Sequence, residues 1–394
     1  MSARVLFYVQ HLLGVGHVFR AKRIVEALVE RGGDVAVVLG GRDIPHLRFD
    51  GAAVHQLPAI HAGDADFGNL VTSEGAPLSN AFRAHRRDAL MDVLGKTSPD
   101  VILTEAYPFA RRSMRFELIP FLEAAHRQTP RPLILASIRD ILQRPSSEKK
   151  AQEACDVFER LFDGALVHGD PDFARVDESY PALAAVADRL HYTGIVAPPL
   201  RTAPDQVSAA ANTFDVVVSA GGGAVGGDVI RAAIAAKSKT LLADANWLVL
   251  TGPNLPKAER REIDEMAASA GVTVETFRSD LPALVAAARI SIQQAGYNTV
   301  ADVLRTDTAA VLVPYAIGGE TEQTDRAHAL ERLGRAAVVT EEDLNSATMA
   351  AAIARALAAP SPHLEINLDG ASTSAEIVAR LLARHRNDAP LSSA

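Results

Sequence analysis

Short apolar runs recur along this chain, each followed by a stretch with helical apolar spacing, and the whole alternation occurs twice. RVLFYV (4–9), DVAVVLG (34–40), DVILTE (100–105), PLILAS (132–137) and GALVHG (164–169) are near-continuous aliphatic runs. A strand that is apolar on both faces has to be covered on both, which is the condition of a parallel sheet between helices. After the first run, Val18, Ala21, Ile24, Val25 and Leu28 recur at helical spacing, and Gly32-Gly33 ends the helix they predict. The pattern restarts with FDVVVSA (214–220), a glycine loop and a helix over 228–237. KTLLADA (239–245), VTVETF (272–277), ISIQQ (290–294) and AAVLVPY (309–315) then read as strands, and a further helix starts at Glu322.

Between the halves, APPLRTAPDQVSAAAN (197–212) breaks the rhythm with prolines and small polar residues, the composition of a linker. The expected division is residues 1–198, a linker at 199–213, a second domain at 214–372, and a C-terminal helix with tail at 373–394. That helix, AEIVARLLARHR (375–386), fits its own domain or a return to the first equally well. At 394 residues the chain is long enough for two cores.

A net charge of −8 disfavours a nucleic-acid binder, which needs a basic face. The single cysteine, Cys155, excludes an intramolecular disulfide and a thiolate cluster. No signal peptide is visible and no run reaches the ~18 apolar residues of a membrane span. The expectation is a cytoplasmic protein, with peripheral contact at the inner membrane face left open.

Three glycine-bearing loops follow strands. In QHLLGVGHVFR (10–20) the third glycine of a dinucleotide fingerprint is missing, and GGR fills 40–42 where a ribose-binding acid belongs. A nicotinamide cofactor is therefore disfavoured. His17 sits at the helix start, suited to a general base or equally to capping and packing. In SAGGGAVGGD (219–228), five glycines in seven residues let the backbone approach an anion such as a diphosphate. In the third region, 296–328, Gly296, Asn298 and Thr299 open a helix carrying Asp302, and Gly318, Gly319 and Glu320 lead into Glu322 and Gln323. Their carboxylates and amide suit ribose and sugar hydroxyls, although each alone is also a common helix cap.

Other clusters read more weakly. Asp64-Ala65-Asp66 has the spacing of a metal motif but lies in a loop of the wrong architecture, so no metal is expected. Arg111, Arg112 and Arg115, and likewise Arg83, His85, Arg86 and Arg87, fit an anionic acceptor or lipid headgroup, or a solvated helix face. Ser137, Arg139 and Asp140 end a first-domain strand, and Asp140 is a candidate for orienting the base.

With these motifs in view, the chain resembles the GT-B fold glycosyltransferases. Within them it is similar to the group containing the N-acetylglucosaminyltransferase of peptidoglycan lipid-intermediate synthesis and its predicted glycosyltransferase relatives. The resemblance spans nearly the whole chain and is sharpest at 10–31 and 290–334. It implies an α/β architecture of two doubly wound Rossmann-like domains facing across an interdomain cleft. It carries the family's G-x-G-H loop onto Gly14, Gly16 and His17, and its diphosphate loop onto Gly221, Gly222, Gly223, Ala224, Val225 and Gly226. The ribose-binding acid falls on Asp302, the donor-sugar pair on Glu322 and Gln323, and the uracil-contacting segment on Phe277 and Arg278. Glu322 stands where the lipid-intermediate enzyme has an amide, and the acceptor region differs from that enzyme's.

The reaction implied is inverting, metal-independent transfer from a nucleoside-diphosphate sugar, a UDP-sugar first, to an unknown hydroxyl acceptor. The sugar nucleotide is a co-substrate, and no cofactor is expected. The rival readings are a nucleotide-sugar 2-epimerase-like enzyme, which needs no acceptor, and a binding protein whose first-domain site has decayed.

Overall fold

The computed structural model describes residues 2–12, 16–44, 47–63, 69–198, 214–221, 225–359, 362 and 364–388. The expected linker, Gly14, Gly222, Gly223, Ala224 and the Asp64–Asp66 motif lie outside these described residues. The chain forms two compact units. The first is Met1–Pro171, Arg175–Val196 and Asp369–Ala394; the second is Asp172–Ala174 with Ala197–Leu368.

The first unit opens with β1 (Arg4–Val9), α1 (Gly16–Glu30), β2 (Asp34–Leu39) and β3 (Ala53–Gln56). A small antiparallel pair, β4 (Ile60–Ala62) and β5 (Leu70–Thr72), precedes α2 (Asn80–Thr97), β6 (Val101–Glu105) and α3 (Arg115–His126). Then come β7 (Leu133–Arg139), α4 (Glu148–Leu161), β8 (Gly164–His168), α5 (Val176–Ser179) and β9 (Leu190–Tyr192). The parallel sheet runs β3-β2-β1-β6-β7-β8-β9, so β1 and β6 are central. Alternate residues of β1 feed opposite cores: Val5, Phe7 and Val9 pack with α1, while Leu6 and Tyr8 pack toward α2 and α3. This two-sided burial accounts for the continuous apolar runs, each large apolar side chain contributing about 1.5–3 kcal/mol. Gly33 closes α1 tightly, since a β-carbon there would lie 2.8 Å from the Leu28 carbonyl oxygen.

The second unit contains β10 (Val216–Ser219), α6 (Gly227–Ala236), β11 (Trp247–Leu250), α7 (Lys257–Ala270), β12 (Thr273–Glu275) and α8 (Leu281–Ala287). It continues with β13 (Ile290–Gln293), α9 (Tyr297–Leu304), β14 (Ala309–Leu312), α10 (Glu322–Arg332), β15 (Ala337–Val338) and α11 (Ser346–Ala358). Its parallel sheet runs β12-β11-β10-β13-β14-β15. The order reverses direction between β10 and β13, the switch point at which such sheets bind ligands. Asn345 starts α11 with a capping box closed by Thr348.

One expected strand is wrong. KTLLADA is not a strand: Lys237–Lys239 is a short 3-10 turn and Leu241 is exposed, whereas Trp247–Leu250 lies fully buried beside β10. The register Val216↔Trp247 sets the choice, because only WLVL offers four consecutive apolar residues to a central position. The last helix, α12 (Gly370–Asp388), belongs to the first unit. It buries Ala375, Ile377, Val378 and Leu382 in the core shared with α1, and Arg386 reaches Asp100 at 3.1 Å.

Candidate active site

In the first unit, polar side chains gather at the carboxyl ends of β6, β7 and β8 and the start of α1. His17, the second residue of α1, is buried, and its Nδ1 lies 2.9 Å from Glu105 Oε1 at the end of β6. Arg20, one turn along α1, pairs with the same oxygen. Glu105 Oε2 accepts from Ser137 Oγ on β7 at 2.7 Å, and His168 Nε2 on β8 lies 2.8 Å from that hydroxyl. On its other side, His17 Nε2 faces Arg139 Nη2 at 3.0 Å.

These partners fix the tautomer. The nearer partner of Nδ1 is the Glu105 carboxylate, with Arg20 Nη2 at 3.3 Å, so Nδ1 carries the proton, while Nε2 faces the Arg139 guanidinium and accepts from it. Burial first, then the charges of Arg139, Arg111, Arg20 and His11, holds the His17 pKa well below its ordinary value. A neutral imidazole oriented by a buried carboxylate is the arrangement a general base needs. Asp140 is buried next to this cluster, but the carboxylate on His17 is Glu105. Gly16 is the first residue of α1.

In the second unit the crossings after β10, β13 and β14 lie side by side. Gly221 and Gly226 both hold left-handed backbone, and a β-carbon on Gly226 would overlap Ala220. Gly226 is the N-cap of α6, and Val225 before it is exposed. Backbone N–H groups at that helix start are suited to an anion. Across the β10–β13 pair, a β-carbon on Gly221 would lie 4.0 Å from Gln294 Oε1. Gly296 caps α9, Asn298 and Thr299 lie in its first turn, and Asp302 is buried in the next.

After β14 the chain makes a 3-10 turn, Ile317–Gly319, containing Gly318 and Gly319. Glu320 Oε1 then accepts the Glu322 N–H at 3.0 Å, and Gln323 Oε1 accepts the Tyr315 N–H at 3.2 Å. The buried Glu322 carboxylate is held by Arg326 Nη2 at 3.0 Å. Arg326 also donates to the Ala295 carbonyl at 3.3 Å and lies 5.7 Å from the Tyr297 ring centre, tying α10 to the start of α9. Phe277 and Arg278 follow the edge strand β12, two strands away from β10. Phe277 is 71% exposed and Arg278 is paired with Asp280 at 2.7 Å.

Sequence reasoning did not single out Glu105, His168 and Arg326. Glu105 and His168 each end an otherwise apolar run, and a polar residue at the carboxyl end of a buried parallel strand is the signal that was available. Among the described residues, no group of three His, Cys, Asp or Glu side chains is placed to hold a metal, and no helix is long and apolar enough to cross a membrane.

Residues 217–380 match the glycosyltransferase family 28 C-terminal domain. The UDP-N-acetylglucosamine--N-acetylmuramyl-(pentapeptide) pyrophosphoryl-undecaprenol N-acetylglucosamine transferase of Paramagnetospirillum magneticum is 25% identical over 343 residues, 85% of this chain and 84% of that protein. The protein of the same name from Sorangium cellulosum is 30% identical over 133 residues, 34% of this chain, and the match spans only 33% of that relative's length. Among solved structures, the calicheamicin glycosyltransferase CalG4 superposes with a TM-score of 0.62 at 15% identity, covering 99% of this chain and 100% of that one. The fold of the two units is that of the GT-B glycosyltransferases.

Proposed function

We propose that this chain, a GT-B fold glycosyltransferase similar to the N-acetylglucosamine transferases that act on pyrophosphoryl-undecaprenol, moves a sugar from a nucleoside diphosphate to a hydroxyl acceptor with inversion at the anomeric carbon. The observation that carries the mechanism is the pair His17–Glu105, a neutral imidazole whose Nδ1–H is oriented by a buried carboxylate. The acceptor hydroxyl takes the place of the Arg139 N–H at Nε2 and gives up its proton there. Its oxygen bonds to the anomeric carbon as the bond from that carbon to the diphosphate oxygen breaks. Glu105 stabilises the imidazolium that results.

The second unit holds the donor. The N–H groups at the start of α6 meet the charge developing on the departing diphosphate, a role that in other enzymes falls to a metal ion. Asp302 accepts from ribose hydroxyls, and Gln323 with the Arg326-bound Glu322 lies along the donor sugar. UDP is the favoured nucleotide because the relatives' names specify a UDP-sugar. The carboxylate of Glu322 accepts hydrogen bonds but donates none, so the sugar need not be N-acetylglucosamine.

A thermal-shift panel of UDP-, GDP- and dTDP-sugars tests the reading. A ligand at a hundredfold excess over its Kd stabilises by about 2.7 kcal/mol. A rise with UDP-sugars above the others supports the proposal. No rise with any nucleoside-diphosphate sugar overturns it.

A further inference from the structure

The buried hydrogen-bonded chain does not end at Glu105. Ser137 lies directly across the β6–β7 ladder from Glu105, and Arg139 lies across β7–β8 from His168. Glu105, Ser137, His168 and Thr193 are all completely buried. Ser137 has one proton, and it goes to Glu105 Oε2 at 2.7 Å. His168 must then donate from Nε2, 2.8 Å from the same hydroxyl oxygen, and its Nδ1 accepts. Thr193 Oγ1 lies 3.1 Å from Nδ1 while donating to the Gly194 carbonyl at 2.8 Å, and Ser374 Oγ of α12, 3.5 Å from Nδ1, donates to the Gly370 carbonyl.

We infer that Ser137 and His168 are positioning residues for the transfer reaction: they hold the second oxygen of Glu105 so that its first oxygen stays on His17 Nδ1. The inference rests on the reading of His17 as the base. The Ser137 hydroxyl donates to the carboxylate, and His168 Nε2 lies against that hydroxyl. A buried polar network survives when all its members are satisfied, and it then fixes one geometry. The charged and titratable groups at this cluster are Arg20 on α1, which shares Glu105 Oε1, Arg139 on β7, which faces Nε2, Arg111 after β6, His11 after β1, and the buried Asp140 after β7.

The positioning role differs from a packing role in what it does to titration. Without the Ser137 hydroxyl, the Glu105 charge is less dispersed and attracts the His17 proton more strongly. The acid limb of the kcat/KM–pH profile then moves to higher pH. The test measures hydrolytic UDP release from UDP-N-acetylglucosamine and UDP-glucose, with water taking the acceptor's place at His17 Nε2 and receiving the sugar, by full-length wild type, Ser137→Ala, Ser137→Thr, His168→Gln and His17→Ala.

The expected result is a roughly tenfold loss of kcat in Ser137→Ala with an unchanged donor KM, smaller than the ~10²–10⁴-fold contribution of a general base itself. Its acid limb shifts upward, and Ser137→Thr restores both. His168→Gln, whose amide keeps a donor, retains more activity than Ser137→Ala. An unchanged kcat and pH limb in Ser137→Ala, alongside an inactive His17→Ala, overturns this inference alone. A lower kcat with an unmoved limb overturns it too, because that is the mark of a packing role. Full turnover by His17→Ala removes the base itself, and with it both readings.

Discussion

Glu105 Oε1 lies 2.9 Å from His17 Nδ1, although the two residues are 88 positions apart. One ends a central strand and the other begins the first helix, so the parallel ladder between β1 and β6 sets their separation. A carboxylate in this place fixes which nitrogen bears the proton, and in the proposed reaction it balances the charge the ring acquires. Glu105→Gln keeps the shape and loses the charge. A kcat lowered by about a hundredfold or more, with donor KM little changed, is expected in steady-state assays of UDP release. A kcat within twofold of wild type contradicts the pairing as a catalytic one.

Arg139 separates burial from charge as causes of the low His17 pKa. Burial is the larger cause, and Arg139 is the first of the charges that add to it. Arg139→Ala removes a cation, so the imidazole binds its proton more readily and its pKa rises. Activity that depends on neutral His17 is then lost at a higher pH than in wild type. The acid limb of kcat/KM, followed from pH 8 downward, is expected to move up; an unmoved limb places the titration elsewhere.

His168 carries a stability prediction of definite sign. Burial, reinforced by the charge of Arg20, pushes its pKa down to about 3, against ~6.5 in an unfolded chain. Between those values the unfolded chain binds a proton that the folded one does not. The contribution is therefore complete above ~6.5 and is lost as pH falls toward 3. Melting temperature measured across that window should fall with pH, and less steeply in His168→Asn. His17 acts in the same direction, so the slope does not vanish. An identical slope in the variant contradicts a buried neutral His168.

The alternation of runs made the doubly wound class legible, because strands buried on both faces are apolar throughout. What failed was the choice between KTLLADA and WLVL. KTLLADA offers only three consecutive apolar residues, and pairing beside β10 selects Trp247–Leu250. Glu105 and His168 were hidden for the opposite reason: each is one polar residue closing an apolar run, and its role depends on neighbours brought in by other strands. The seat of α12 was likewise unreadable, since its apolar stripe fits any helix groove until α1 is known to present one.

Arg326 lies within 296–328, where its spacing gives no sign of its place. It sits one turn after Glu322, an ordinary surface spacing, yet it is fully buried and joins Glu322 to the Ala295 carbonyl. Arg326→Ala leaves a buried carboxylate without its counter-ion, which destabilises by about 3–5 kcal/mol when a buried pair is broken. Denaturant unfolding is expected to show that loss. Calorimetry should show weaker binding of UDP-sugar than of UDP alone, relative to wild type. Equal weakening of both ligands contradicts a role at the sugar end of the donor.

The claim on which the rest depends is that His17 takes the acceptor proton. The direct measurement is hydrolytic UDP release by His17→Ala, with water as the attacking hydroxyl, from the UDP-sugar that most stabilises the wild-type protein, with donor Kd measured in parallel. A kcat lower by at least ~100-fold with an unchanged Kd is expected. Wild-type turnover by His17→Ala contradicts it.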